Sequence, residues 1–185
     1  HGLACSTDGT LLTAVDGRGE VAVWELDSGR LLHHVGSGQT ETAVAVSGDG
    51  RLVATARESD ILLIDTRSGE MIEPLLNGHT TAIRNLALDG NADVLVSGDA
   101  QGVIRVWDIA IREGRAGPRP MDEPLRYDGT GLWAISPDGR SLAMMASGAA
   151  LDVYDLKTGE RLAQNPEVHP GYSVHGLSFD PAGTV

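Results

Sequence analysis

The sequence predicts an all-β chain laid out as a radial array of small antiparallel sheets, and three recurrences in it predict that class. Four times a short β-like run ends in an aromatic or aliphatic residue followed by an acid: Trp24-Glu25, Ile64-Asp65, Trp107-Asp108 and Tyr154-Asp155, spaced 40, 43 and 47 residues apart. A turn signal precedes each by a similar interval: Ser6-Thr7-Asp8-Gly9, Ser47-Gly48-Asp49-Gly50, Asp89-Gly90-Asn91-Ala92, Ser136-Pro137-Asp138-Gly139, and a fifth, Asp180-Pro181-Ala182-Gly183. A second turn follows the pair in three units, at Asp27-Ser28-Gly29, Arg67-Ser68-Gly69 and Lys157-Thr158-Gly159. Aspartate favours such turns by bonding its own backbone, and glycine supplies positive φ without a steric penalty. A strand-bearing period near forty marks units that cannot bury a hydrophobic face alone and must stack.

Taken in order, these marks give four strands per unit. The first unit has strands near 2–6, 10–15, 20–25 and 30–35, and the second near 42–47, 51–56, 60–65 and 70–75. In the third they fall near 83–88, 93–97, 102–108 and, after an insertion, 124–127. The fourth runs near 132–136, 141–146, 150–155 and 160–164, and a fifth opens with Val174–Phe179. The units therefore span about 1–36, 37–77, 78–128 and 129–165, with a partial one at 166–185. Runs apolar on both faces, such as Ile61-Leu62-Leu63-Ile64, suit sheets pressed between neighbours. Residues 110–124 break the spacing; their Pro and Gly content reads as a loop, and they concentrate Arg112, Arg115 and Arg119.

Composition narrows the function. The chain has 185 residues, a net charge of −12 and a pI near 4.7. That balance argues against binding a nucleic-acid backbone, which needs a basic footprint, and against an anionic membrane surface. No apolar run reaches the length of a membrane span. Cys5 is the only cysteine, so an intrachain disulfide and a thiolate metal site are both excluded. The single cysteine fits a reducing, cytoplasmic compartment. Thirteen arginines against one lysine, Lys157, fit a GC-rich bacterial genome.

The third unit carries the most detailed pattern: Gly78-His79, then Leu95-Val96-Ser97-Gly98-Asp99, then Gly102-Val103-Ile104-Arg105-Val106-Trp107-Asp108. In this it resembles the WD-repeat (WD40) family. The resemblance implies a β-propeller of four-stranded antiparallel blades, here about four blades and a partial fifth. The family most often has seven blades, so it also implies that this is an excerpt from a longer chain whose remaining part supplies further blades. Members often hold a buried tetrad of His, Ser or Thr, Asp and Trp in each blade. His79, Ser97 and Trp107 match three of its places, and the acid's place falls on Gln101. In the other units, counting back from each anchor puts Ala14, Ala54 and Met144 at the hydroxyl place, so apolar packing is expected to hold the blades together.

No residue set reads as catalytic, and no cofactor or metal site is expected. Trp24, Trp107 and Tyr154 recur at one place and read as core; Asp108 closes the same pair. His33-His34 sits in an outer strand, where neighbouring side chains point to opposite faces and cannot chelate together. Thr80, Trp133, Tyr172, Arg112 and Arg115 are the residues whose places could meet a partner. The expected function is a non-catalytic scaffold that presents loops to protein or peptide partners. The face expected to do so is built from the connections at 36–41, 77–82, 128–131 and 165–173, with the turns near 16–19, 57–60, 98–101 and 147–149. The alternative is a sensor domain fused to a catalytic module, such as a bacterial kinase or signalling NTPase, outside this chain.

Overall fold

The computed structural model describes residues 2–6, 8–16, 20–36, 43–110, 119–126, 132–145, 150–165, 177–180 and 183. Every regular element among them is a β-strand. Blade 1 comprises β1 (Gly2–Cys5), β2 (Leu11–Val15), β3 (Glu20–Glu25) and β4 (Arg30–Gly36). Blade 2 comprises β5 (Ala43–Val46), β6 (Leu52–Arg57), β7 (Asp60–Asp65) and β8 (Met71–Leu76). Blade 3 comprises β9 (Ile83–Leu88), β10 (Val94–Asp99), β11 (Val103–Asp108) and β12 (Arg119–Arg126), and blade 4 comprises β13 (Trp133–Ile135), β14 (Ser141–Met145), β15 (Leu151–Asp155) and β16 (Arg161–Asn165). Each blade is an antiparallel meander whose strands pair in sequence order. The first strands, β1, β5, β9 and β13, line a central cavity of about 470 Å³ whose wall includes Leu3, Val44, Leu86 and Trp133.

One sequence expectation needs correction, and another lies partly outside the described residues. The outer strand of blade 3 begins at Arg119, inside the stretch read as a loop, and pairs Asp108 with Arg119, Trp107 with Pro120 and Ile104 with Leu125. Prolines are tolerated here because β12 is an edge strand, where a missing N–H costs no ladder bond, and because the register shifts between Ile104 and Val106. The fifth unit's expected strand falls at 174–176 outside the described residues, and residues 177–180 carry no strand pairing.

Three apolar cores separate the four sheets. Val21 and Val23 of blade 1 meet Val46, Val53 and Ile64 of blade 2. Ala54, Ile61 and Leu63 meet Leu95 and Trp107. Val96, Ile104 and Val106 meet Leu142 and Met144, with Tyr154 packed alongside. Each third-strand anchor thus faces the preceding blade: Ile64 faces blade 1, Trp107 blade 2 and Tyr154 blade 3. Trp24, on the face of blade 1 turned away from blade 2, is only half-buried. Alternate residues of one strand point to opposite faces, so a strand with two neighbours is apolar throughout. In β6, residues Leu52 to Ala56 are all buried.

The acid after each anchor shapes the turn that follows. Asp65 Oδ1 accepts from the backbone N–H groups of Arg67 and Ser68, and Asp155 Oδ1 from those of Lys157 and Thr158. In the turns between first and second strands, Ser6, Ser47 and Ser136 each donate to the aspartate two residues on and accept from the backbone N–H five residues on. These turns also bond to one another. Asp8 N donates to Gly48 O at 3.3 Å, Gly48 N to Asp89 O at 3.1 Å, Asp49 N to Gly90 O at 2.8 Å and Gly90 N to Pro137 O at 2.8 Å. This backbone relay crosses all four blades. A Cβ at Gly90 would stand 2.6 Å from Pro137 O, so the approach requires glycine.

Blade 3 departs from its neighbours in this turn at two places. Asp89 replaces the serine and accepts from the N–H groups of Asp93 and Val94, and burial, reinforced by the nearby Asp93 carboxylate, holds its pKa above the ordinary 3.8 despite those bonds. Because the folded-state pKa is raised, the protonated acid suits the fold. Its contribution is present at acid pH and is lost as pH rises through the folded value. Asp89→Ser is therefore expected to stabilise the protein at pH 7, with the gain shrinking as pH falls toward 3.8, in denaturant titrations repeated across that range. Ala92 adopts φ +60° where Gly9, Gly50, Gly139 and Gly183 adopt φ between +69° and +83°. Relieving that strain with Ala92→Gly should raise stability by about 0.5–1 kcal/mol, the left-handed cost less glycine's added unfolded-state entropy, measured as a shift in the unfolding midpoint.

Candidate partner-binding face

One end of the propeller carries the connections between blades and the turns between second and third strands. The described part of it comprises residues 77–82, the turns at 58–59 and 100–102, and Asp16, Leu132 and Ala150 at the ends of other connections. The connections at 37–42, 127–131 and 166–176, with Tyr172, and the insertion residues Arg112 and Arg115 lie outside the described residues. Thr80 is exposed on the 77–82 connection, together with Asn77 and Gly78. Glu58 and Gln101 are exposed beside it on the adjacent turns.

A buried hydrogen-bond chain fixes that connection to the blade below. His79 is part of the loop itself, yet its side chain is wholly buried. Trp107 Nε1 donates to Ser97 Oγ at 2.7 Å, Ser97 Oγ lies 2.7 Å from His79 Nε2, and His79 Nδ1 lies 3.0 Å from Asp99 Oδ2. One proton assignment satisfies all three contacts. Asp99 has no proton to give when ionised, so Nδ1 carries the imidazole proton; Nε2 is then free to accept from the Ser97 hydroxyl, which itself accepts from the indole. The His79 and Trp107 rings lie 6.4 Å apart at 53°, and a Cβ at Gly78 would come within 3.2 Å of the indole.

The electrostatics agree with this assignment. Burial pushes the His79 pKa below 6.5; the Asp99 carboxylate opposes this and the Arg105 charge adds to it, leaving the ring neutral. Burial would raise Asp99, but bonds from His79 and from the N–H groups of Val103 and Gln101 outweigh it and hold the carboxyl below 3.8. Asp99 thus binds the loop through one oxygen and its own hairpin turn through the other. The face is tied across blades too: Ile83 N of blade 3 donates to Glu58 O of blade 2 at 2.7 Å. Glu58 holds φ +52° to present that carbonyl.

The tetrad in blade 3 is therefore complete, and the acid's expected place needs correction. Gln101 is exposed and contributes only a backbone N–H; the acceptor is Asp99, two residues earlier. The pattern that could have found it is an aspartate accepting from the N–H four residues on, which Asp16 repeats with Glu20 in blade 1. The hydroxyl's place in blade 2 also moves. Ile64 pairs with Val53 as Trp107 pairs with Leu95, so Thr55, not Ala54, aligns with Ser97. Its hydroxyl is buried without a partner. Trp133 stands in the first strand of blade 4, half-buried against the core between blades 3 and 4; a Cβ at Gly98 would meet its ring at 3.0 Å. Among the described residues no group of His, Cys, Asp and Glu is placed to hold a metal ion.

Ser97→Ala would orphan both the indole N–H and the imidazole acceptor in a buried site, a loss of about 2–6 kcal/mol at roughly 1–3 kcal/mol for each stranded group. Thr55→Val removes an unpartnered hydroxyl and should be neutral or stabilising. Denaturant unfolding of the two variants side by side checks the contrast.

Comparison with known proteins agrees with this geometry. Residues 72–108 match the family described as WD domain, G-beta repeat. The chain is 30% identical over 126 residues to WD repeat-containing protein 55 of Rattus norvegicus, covering 68% of this chain and 30% of that protein. It is 29% identical over 124 residues to small ribosomal subunit protein RACK1 of Medicago sativa, covering 58% of this chain and 38% of that one. It thus spans less than half the length of either relative. Among solved structures, the β-propeller domain of Cps50 (Swd1) from Myceliophteria thermophila superposes with a TM-score of 0.75 at 15% identity, covering 98% of this chain and 59% of that one. Four antiparallel four-stranded blades, a WD repeat in the third and relatives named for the same repeat make this a WD-repeat chain with the fold of an unclosed β-propeller.

Proposed function

We propose that this chain is a non-catalytic interaction scaffold that displays loops to protein or peptide partners, and that the display face is the one bearing Thr80. The observation that carries the reading is the tetrad: it spends four buried side chains on immobilising a surface connection. Pre-ordering a loop lowers the entropic cost of binding through it. Loops on a rigid scaffold are where such proteins vary their specificity. Relatives named as WD-repeat proteins and as the ribosomal protein RACK1 favour a scaffold over an enzyme. A cytoplasmic setting, read from the single cysteine, goes with this proposal. The bacterial reading rests on composition alone, the arginine bias with abundant Ala and Gly, and the relatives named above are eukaryotic.

The test is affinity capture with the full-length protein carrying Glu58→Ala, Asn77→Ala, Thr80→Ala and Gln101→Ala together, with His79 retained. Partners seen with the unaltered protein are expected to be lost, while Leu31→Ser and Met71→Ser on exposed outer-strand positions leave them bound. Capture unchanged by the four-residue variant would remove this face from the scaffold reading.

A further inference from the structure

The opposite end of the propeller carries a groove with apolar walls. It measures about 500 Å³ and lies between blades 3 and 4, with Val94, Val106 and Leu156 as walls and Arg140, Lys157 and the acid Asp155 at the rim. A volume of that order accommodates a few side chains. The same end of blade 2 carries a depression of about 440 Å³, lined by Asp49, Gly50, Arg51, Asp65, Thr66 and Arg67. The two are related by the repeat: Thr66 N donates to Arg51 O, and Leu156 N to Arg140 O. Both rims carry two cations. The groove between blades 3 and 4 has an apolar floor where the depression in blade 2 is polar, because Leu156 stands where Thr66 turns its hydroxyl onto Gly50 O.

The rim cations are exposed. Arg140 has its nearest acid, Asp138, at 3.9 Å, and the two side chains are 83% and 60% exposed, so this pair has little strength. Asp138 is already engaged by the Ser136 hydroxyl and the Arg140 N–H, and Asp155 by the N–H groups of Lys157 and Thr158. Those bonds direct one oxygen of each carboxylate, Oδ1, into its turn. Blade 1 has Thr10 and Asp27 at the two rim positions, and blade 3 has Asp93 and Ala110, so cation pairs mark blades 2 and 4 alone among the four.

We propose that the groove between blades 3 and 4 binds an extended peptide segment in which leucine-like side chains are flanked by carboxylates. The apolar side chains fill the space between Val94, Val106 and Leu156, and the flanking carboxylates meet Arg140 and Lys157. This rests on the interaction-scaffold reading but uses the opposite face from the one bearing Thr80.

The probe is fluorescein-labelled Gly-Asp-Leu-Leu-Asp-Gly amide, titrated into the full-length protein and followed by anisotropy. Saturable binding is expected. It should weaken at least tenfold when both peptide aspartates are replaced by lysine, and likewise when both leucines are replaced by serine. The double variant Arg140→Glu with Lys157→Glu, both at exposed positions, should weaken it at least tenfold with an unchanged melting curve. The matching double variant Arg51→Glu with Arg67→Glu should leave it within twofold. Absence of saturable binding, equal binding of the lysine peptide, or equal loss from both double variants would each overturn the proposal. The four-residue variant of the Thr80 face should bind the probe normally, so failure of that face and failure of this groove are read separately.

Discussion

Every blade here depends on a neighbour, because four short strands with apolar residues on both sides cannot shield themselves from water. Blade 2 shows the dependence most fully. Ile64 packs toward blade 1 while Leu63, one residue earlier, packs toward blade 3, and both are buried. Removing either neighbour would expose one of these side chains, each worth roughly 1.5–3 kcal/mol of burial. Stability in such an array is a sum of weak units and strong interfaces, so the interfaces decide whether any unit folds. The backbone relay from Asp8 through Gly48, Asp49 and Gly90 to Pro137 adds direction to packing that is otherwise non-directional. It sets the angular offset of one turn from the next, and with it the position of each following sheet.

Periodicity exposed this architecture in the sequence because the same physical task recurs in every blade. The anchor-acid pair is legible since the anchor must face the preceding blade and the acid must hold the next turn, and neither duty tolerates many residue types. The outer strand of blade 3 was not legible for the converse reason. An edge strand tolerates proline, so Pro120 and Pro124 look like loop while lying within β12. The tetrad was half legible. His79, Ser97 and Trp107 stand at their expected places, but a fixed offset from the anchor misses the acid, since a hairpin turn can supply its carboxylate from more than one position. The same counting misplaces Thr55, because the turn in blade 2 is one residue shorter than its equivalents and shifts the register behind it.

Equivalent places in the four blades also explain why the polar chain survives only in blade 3. The hydroxyl at its centre must accept from an indole and donate to an imidazole, and either partner alone leaves a buried polar atom unpaired. Blade 1 has an indole at Trp24 but Ala14 at the hydroxyl's place. Blade 2 has the hydroxyl of Thr55, but Ile64 has no side-chain N–H to offer. Blade 4 has Met144 there. Losing one member removes the advantage of the others, so the chain is kept whole or gives way to apolar packing. Thr55 is the intermediate case, a buried hydroxyl with no partner.

That all-or-none logic connects stability to display. In blade 3 the network's only member from outside the sheet is His79, and His79 lies in a surface connection. The sheet itself is already held by Leu95, Ile104 and Val106, so what the four polar groups add is the position of residues 77–82. Buried polar networks specify geometry more than they add stability, and here the geometry specified is that of a loop next to exposed Thr80. The opposite end works differently. Its turns are fixed by their own aspartates and by the relay, and its exposed side chains at Arg140 and Lys157 are free to vary without disturbing the sheets. One face is thus held by side chains beneath a loop, and the other by backbone beneath side chains. Variation would change loop conformation on the first face and surface chemistry on the second.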